Sequence, residues 1–472
     1  MDIGTQSLKA VVVDDRLRVI GEGSAGYPHS LPGPGRAEQD PHDWERALGT
    51  AIRIALDDAE VSAAQVCALG IAGQLDGCVA VDAAGAPLSP CLIWMDRRAE
   101  LPPLPEDARA ITGVVPDPGH MAAKIRWLAA HHRGAVRYHQ PVSYLVARLT
   151  GEAVMDRALA STTMLYDLRA GAWRAELLDA FAIDAAVLPR IDEAHAIAGT
   201  LHDAGARLAG LPSGIPVAVG TGDDFATPLG AGVAAPGPIA CVVGTAEVVG
   251  TLAPAMVIDG DALVETHAYP AGGWFIENPG WLSGGALDWI HALLAGPGLD
   301  QLDRMAEAVP AGCDGVTFVP ALTGAMAPEW IPQARACFDG LSAAHGQGHL
   351  ARAVMEGCAF AMRDVVDHLA ALGVGGEHLL LLGGGARSRV WAQIRADVGG
   401  LPVELGARTD TCAVGAAMLA AVAAGVVGDV PAAAALITRD GDVLMPDPEG
   451  QDASGRAYAR YRRLFGALRT LW

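Results

Sequence analysis

Gly220-Thr221-Gly222-Asp223-Asp224-Phe225-Ala226-Thr227 is the stretch around which the rest of the chain is read. The apolar run before it, Ile215-Pro216-Val217-Ala218-Val219, reads as a buried strand, and the small residues of 226–232 can start a helix. Glycines at the end of a strand let the backbone turn sharply and come close to a ligand. A carboxylate there stands at the carboxyl edge of a sheet, where α/β proteins place their chemistry. The stretch alone leaves two readings of Asp223 open. It is a general base that takes a proton from a hydroxyl, or it is an N-cap, a position that Asp favours.

At 472 residues the chain is too long for one hydrophobic core, so two domains are expected. With 51% hydrophobic and 18% charged residues it has the composition of a folded protein. A formal charge of −21 argues against nucleic acid and anionic membranes as partners. It leaves a nucleotide possible, because glycine loops and a metal hold phosphates without a basic surface. Eight scattered cysteines, with no Cys-x-x-Cys and no Cys/His cluster at zinc spacing, read as buried free thiols of a cytoplasmic protein. No signal peptide is apparent. The most apolar stretch, 414–427, is shorter than a membrane span and reads as a core helix. The first residues open directly on what looks like the end of a strand: either that strand is short or residues precede it.

Read in order, Asp2-Ile3-Gly4-Thr5-Gln6-Ser7 is a strand and a hydroxyl-rich turn leading into a second strand, 10–13. Such a turn offers N–H groups and hydroxyls to phosphate oxygens. Asp2 beside it can hold Mg²⁺, directly or through water. A plain β-hairpin is the alternative. A helix over 41–59 and a strand over 66–72 follow, the latter ending in Gly73-Gln74-Leu75-Asp76-Gly77. Then comes Trp94-Met95-Asp96-Arg97-Arg98. Gln74, Asp76 and Asp96 could bind the hydroxyls of a polyol, with Trp94 packing on its carbon face. Alternatively, Asp76 and Asp96 are turn and cap residues, and Arg97 pairs with one of them. Helices are expected over 119–132, 142–149 and 171–181. The Ala/Gly/Pro-rich segment 203–214 is the expected boundary, giving lobes of 1–212 and 213–472, the second carrying Asp223.

In the second lobe a strand, 238–243, turns at Gly244-Thr245 into another, 248–252, repeating the design of the first. A helix is expected over 345–372. The strand 378–382 runs into Gly383-Gly384-Gly385-Ala386-Arg387-Ser388 and a helix over 390–398, and three glycines leave no side chain to obstruct a flat ring or a phosphate. A strand over 401–405, a helix over 411–424 and a closing helix over 457–471 complete the chain.

Together these segments resemble the FGGY carbohydrate kinases, the family of xylulokinase, ribulokinase and glycerol kinase, over nearly the whole chain. Asp2 to Thr5 is similar to the family's opening phosphate turn, and Gly73 to Gly77 stands where xylulokinases carry Gly-Gln-Met-His-Gly. Trp94 to Arg98 resembles Trp-x-Asp-x-Arg; Gly220 to Asp224 resembles the Gly-Gly-Gly-Asp-Asn segment that carries the base. Gly244-Thr245 corresponds to the second phosphate loop, and Gly383 to Ser388 with Trp391 and Arg395 to the adenosine segment.

The resemblance implies a two-lobed α/β fold of the actin/hexokinase/Hsp70 (ribonuclease H-like) type, with ATP–Mg²⁺ and sugar meeting in a cleft. It implies Asp223 as base and Asp2 as the metal-side carboxylate. Thr5, Gln6, Gly244 and Thr245 would serve the phosphates, and Gly384, Gly385, Ala386 and Ser388 the adenosine. Gln74, Leu75, Asp76, Trp94, Asp96 and Asp224 would face the sugar, and a homodimer is possible. Three departures stand out. Asp76 replaces the xylulokinase His, Asp224 replaces the Asn after the base, and Thr323 to Pro328 lacks the charged pair of Ser-Gly-Glu-Arg-Thr-Pro. The first two touch the sugar site. A ketopentose such as D-xylulose therefore competes with another ketose or a polyol (ribulose, ribitol, xylitol, erythritol, glycerol), and with a non-catalytic sugar- or nucleotide-binding role. The Gly-x-Gly-x-x-Gly pattern of an NAD enzyme is missing at both glycine turns.

Overall fold

A computed structural model describes residues 1–294, 298–406 and 410–472. The chain forms two units: 1–235 with 266–274 and 410–438, and 236–265 with 275–409 and 439–472.

The first unit is built on a five-stranded sheet. β1 (Asp2–Ile3) is followed by β2 (Ser7–Val13) and β3 (Val19–Gly26), each antiparallel to the one before. The helix α1 (Pro41–Asp58) starts where the sequence predicts, with Pro41 in its first turn and the Asp40 carboxylate accepting from His42 N. The predicted strand over 66–72 shrinks to β4 (Ala72–Gly73), which runs parallel to β1. Helices α2 (Met121–His131) and α3 (Pro141–Thr150) follow. β5 (Thr221–Gly222) adds to β4, also in parallel, giving the order β5-β4-β1-β2-β3. It leads without a loop into α4 (Asp223–Gly230).

The expected boundary after Pro212 is therefore corrected. Residues 203–214 hold the short helix Asp203–Ala209 and a turn, inside the first unit. β5 hydrogen-bonds to β4, so Asp223 belongs to the first unit, and the division falls after Ala235.

The second unit repeats the theme. β6 (Pro238–Val243) and β7 (Ala246–Ala253) form an antiparallel hairpin around Gly244-Thr245. Behind them lies α5 (Gln347–Ala371), whose apolar face, with Val354, Cys358, Ala361 and Val365 buried and Leu350 half-buried, lies against the core. β8 (His378–Leu382) pairs in parallel with β6, as β4 does with β1. The helix α6 (Arg389–Gly399) leads to β9 (Val403–Leu405), and β10 (Val443–Leu444) caps that edge. Five consecutive strands of this sheet thus lie in the order β7-β6-β8-β9-β10. The closing helix spans Pro448–Leu468, starting earlier than predicted because the Asp447 carboxylate caps it, accepting from Gly450 N.

One helix expected in the second lobe belongs to the first. α7 (Thr411–Ala423) packs on α4 within the first unit. Glycines make the approach possible: a Cβ at Gly415 would lie 2.1 Å from Ala226 O, and one at Gly230 would lie 1.8 Å from Thr411 O. Among the described residues, no helix is long and apolar enough to cross a membrane.

Candidate active site

The register of the first sheet brings distant residues to one edge. Ile3, Gly73 and Gly222 are aligned across β1, β4 and β5, all running the same way. The residues that follow them, Gly4, Gln74 and Asp223, therefore leave the sheet together at its carboxyl edge. The turn into β5 needs Gly220, whose φ is +78° and whose missing Cβ would lie 2.0 Å from Ile71 O. Thr221 on β5 donates to the buried Asp156 carboxylate at 2.8 Å, a group that burial pushes up to about 7.

Asp223 is the first residue of α4, and the cap position belongs to Gly222, so its carboxylate is not a side-chain N-cap. Burial pushes its carboxyl well above the usual range, and the charges of Asp224 and Asp2 add to the shift. The backbone N–H groups of Asp223 and Asp224 pull weakly the other way. Asp2 is also raised, mainly by burial, against the opposing effects of Lys9 and a hydrogen bond with the Cys412 thiol. Both carboxylates add to the upward shift of the Tyr27 phenol, whose hydroxyl donates to Gly4 O. Two or three carboxylates crowded at one sheet edge suit a partner that supplies positive charge.

Beside them runs a chain of hydrogen bonds whose polarity is fixed by Trp44. Its indole N–H can only donate, and it does so to Gln39 Oε1 at 3.2 Å. Gln74 Nε2 donates to the same oxygen at 2.7 Å, and Gln39 Nε2 to Thr5 O. Gln74 Oε1 is left buried with no partner among the described residues. Trp94 Nε1 donates to Thr5 Oγ1 at 3.1 Å, which leaves the threonine its own O–H to give. Leu75 reaches toward Gly222, where a Cβ would meet its Cδ2 at 3.1 Å. Gln6 is exposed, and its carbonyl accepts from Tyr27 N.

Asp76 sits at φ +58° with its N–H on Gln140 Oε1 at 2.9 Å. Its Oδ2 lies 3.1 Å from His120 Nδ1, and His120 Nε2 lies 3.0 Å from Val115 O. Both ring nitrogens thus face oxygen acceptors, the arrangement of an imidazolium paired with a carboxylate. Burial pushes the Asp76 carboxyl up, but the charges of His120 and Lys124 outweigh it and hold it below the ordinary value, with a small further lowering from the Thr162 hydroxyl. Asp76 Oδ1 is buried with no close hydrogen-bond partner among the described residues.

Asp96 is not placed as a hydroxyl ligand. It is fully buried, and both oxygens are taken: by Ala37 N at 2.7 Å and by Arg98, whose Nη2 is 2.7 Å away. It orders the loop that presents Trp94. Arg97 pairs with Asp117 at 2.8 Å, not with either predicted aspartate.

In the second unit, Gly244 and Thr245 form an exposed turn whose carbonyls accept from Ser283, Gly284 and Gly285 N–H groups. Ser283 in turn donates to Glu247, which pairs with Arg395 of α6, all three fully buried. Gly383, Gly384, Gly385 and Ala386 leave β8 as a tight turn, and a Cβ at Gly385 would lie 2.5 Å from Val243 Cγ1. Ser388 Oγ accepts from Trp391 N at 3.0 Å as the cap of α6.

The chain matches the models of the FGGY family of carbohydrate kinases, the N-terminal domain over residues 1–230 and the C-terminal domain over 239–424. The chain belongs to the FGGY family of carbohydrate kinases. It is 32% identical over 436 residues to the xylulose kinase of Escherichia coli (strain K12), covering 90% of this chain and 89% of that one. It is 31% identical over 444 residues to the glycerol kinase of Thermococcus onnurineus (strain NA1), covering 90% and 88%. The crystal structure of xylulose kinase from Rhodospirillum rubrum superposes with a TM-score of 0.87 at 30% identity, covering 100% of this chain and 98% of that one. The fold is accordingly the two-domain actin/hexokinase-like fold, and the activity that of an ATP-dependent sugar kinase of the FGGY type.

Sequence reasoning missed Gln39, Trp44, His120 and Lys124. His120 and Lys124 fell inside a predicted helix, where i,i+4 polar residues read as a solvated face.

Proposed function

We propose that this kinase transfers the γ-phosphate of ATP to a hydroxyl of a ketopentose such as D-xylulose, with Asp223 as general base. The observation that carries the proposal is the alignment of Ile3, Gly73 and Gly222, which puts Asp223 beside Asp2 and Gln74. A sugar hydroxyl is a poor nucleophile, and a positioned carboxylate that accepts its proton contributes roughly 10²–10⁴-fold. Burial, with the charges of Asp224 and Asp2 adding to it, raises the proton affinity of Asp223 and makes it a stronger base. Gln74 Oε1 and Asp76 Oδ1 are both acceptors in need of donors, so they favour a neutral, hydroxyl-rich substrate over a sugar acid. Trp94 offers a face to the carbon skeleton, and Asp224 a further acceptor.

Mg²⁺ enters with ATP as part of the substrate and offsets the charge on its phosphates. Asp2 would hold it, directly or through water, and its crowding with Asp223 fits that task. Thr5, Gln6, Gly244 and Thr245 would donate to the phosphates, and Gly384, Gly385 and Ala386 would lie against the adenosine. We read the enzyme as cytoplasmic, in keeping with its eight free cysteines, and as a homodimer by family likeness.

Two observations favour a second reading, a polyol or another ketose. Asp76 stands in place of the xylulokinase His, and glycerol kinases are as similar in sequence as xylulose kinases. ADP release with Mg²⁺-ATP across D-xylulose, L-xylulose, D-ribulose, L-ribulose, glycerol, erythritol, xylitol, ribitol and D-arabinitol separates them. The proposal expects D-xylulose to give the highest kcat/KM. Turnover confined to another ketose or a polyol makes Asp76 and Asp224 the specificity switch; silence with ATP still bound points first to a sugar outside the panel.

A further inference from the structure

We infer that Lys124 is a positioning residue of the sugar site, its ammonium group tying the loops of Asp76, Trp94 and His120 into one frame. The inference rests on the proposal that Gln74, Asp76 and Trp94 face the sugar. Lysine is almost never fully buried, yet Lys124 on α2 is 0% exposed. Its Nζ donates to Asp76 O at 2.7 Å, to Ile93 O at 2.8 Å and to Gly119 O. An ammonium has three N–H donors, and three main-chain carbonyls take them.

Each carbonyl belongs to, or directly precedes, a residue of the proposed site. The first is that of Asp76 itself. The second belongs to the residue before Trp94, and the third to the residue before His120, whose ring meets the Asp76 carboxylate at 3.1 Å. These loops come from three separate parts of the first unit, and without the ammonium three buried carbonyls would face one another. Asp76 also holds a left-handed backbone, φ +58°, which a non-glycine residue keeps only when its surroundings impose it. The clamp on its carbonyl supplies part of that constraint.

Sugar and ATP saturation curves test the assignment for wild type and for Lys124→Met, Lys124→Gln and Asp76→Asn, with circular dichroism to verify folding. Both lysine variants are expected to raise the sugar KM roughly tenfold or more, with the ATP KM within about twofold. A folded variant with an unchanged sugar KM, or with both KM values raised alike, overturns the positioning role. Wild type supplies a test that needs no variant. Burial lowers the Lys124 ammonium to about 8, against the opposing charge of Asp76. The other groups that face it are Arg97 and the Cys78 and Cys91 thiols. Loss of the third N–H should raise the sugar KM between about pH 7 and about pH 9 while the ATP KM stays level. A sugar KM and an ATP KM that rise together over that range mean a general loss of the fold, and overturn the role. Asp76→Asn separates the two levels. If it too leaves the sugar KM untouched, the site reading itself falls; if it raises KM while the lysine variants do not, only the role of Lys124 falls.

Discussion

Asp223 is raised by burial, Asp224 and Asp2, and with Asp223 as the proposed base this would set how catalysis depends on pH. A general base works unprotonated, so kcat/KM should fall as pH drops through the raised value. The acid limb is expected clearly above the ordinary aspartate pKa of about 3.9. A limb at the ordinary value would mean that Asp223 ionises as an isolated carboxylate and that the crowding has no kinetic weight. At this scale the sequence was readable for position at strand ends: Asp2, Gln74, Asp76 and Asp223 are each a residue or two from a glycine turn. It was unreadable where the partner is remote. His120 lies 44 positions from Asp76 along the chain, and nothing local in either segment announces the pair. Asp96 misled for the opposite reason. A strand-end carboxylate looks like a ligand, but Arg98, two residues on, takes both its oxygens.

Among the elements, the contact between α4 and α7 depends on glycine. With Ala226 O only 2.1 Å from the position of a Cβ at Gly415, Gly415→Val forces the two helices apart. Overpacking of this kind typically costs about 1–3 kcal/mol. Thermal and urea melts should show a loss in or above that range, and kcat should fall too because α4 begins with Asp223. An unchanged melting temperature would contradict the packing described. The helix over 411–424 was legible from composition, being an Ala-rich run punctuated by Gly415. Its place was not, because α7 is joined to its neighbours in sequence by the second unit and to its neighbours in space by the first. The boundary at 212/213 failed for the same reason. A loop-like composition over 203–214 is a local signal, while the pairing of β5 with β4 links residues some 150 positions apart.

For the molecule as a whole, the repeated design carries the reading. A Gly-Thr turn between antiparallel strands, with a parallel strand beside the first, occurs in each unit. That repeat was legible because each half is a short local motif, and the order of the motifs along the chain pointed to the family. The identity of the sugar was less legible, since on the proposed reading it depends on Asp76, Gln74, His120 and Trp94 together, and those residues are far apart in sequence. The central claim is that phosphoryl transfer runs through one carboxylate at the carboxyl edge of the first sheet. Asp223→Asn tests it most directly, assayed for ADP release on the best sugar of the panel alongside equilibrium binding of ATP. Turnover should drop by roughly 10²–10⁴-fold with ATP affinity essentially unchanged. Turnover within a few-fold of wild type in a folded variant would remove Asp223 from the reaction and the account with it.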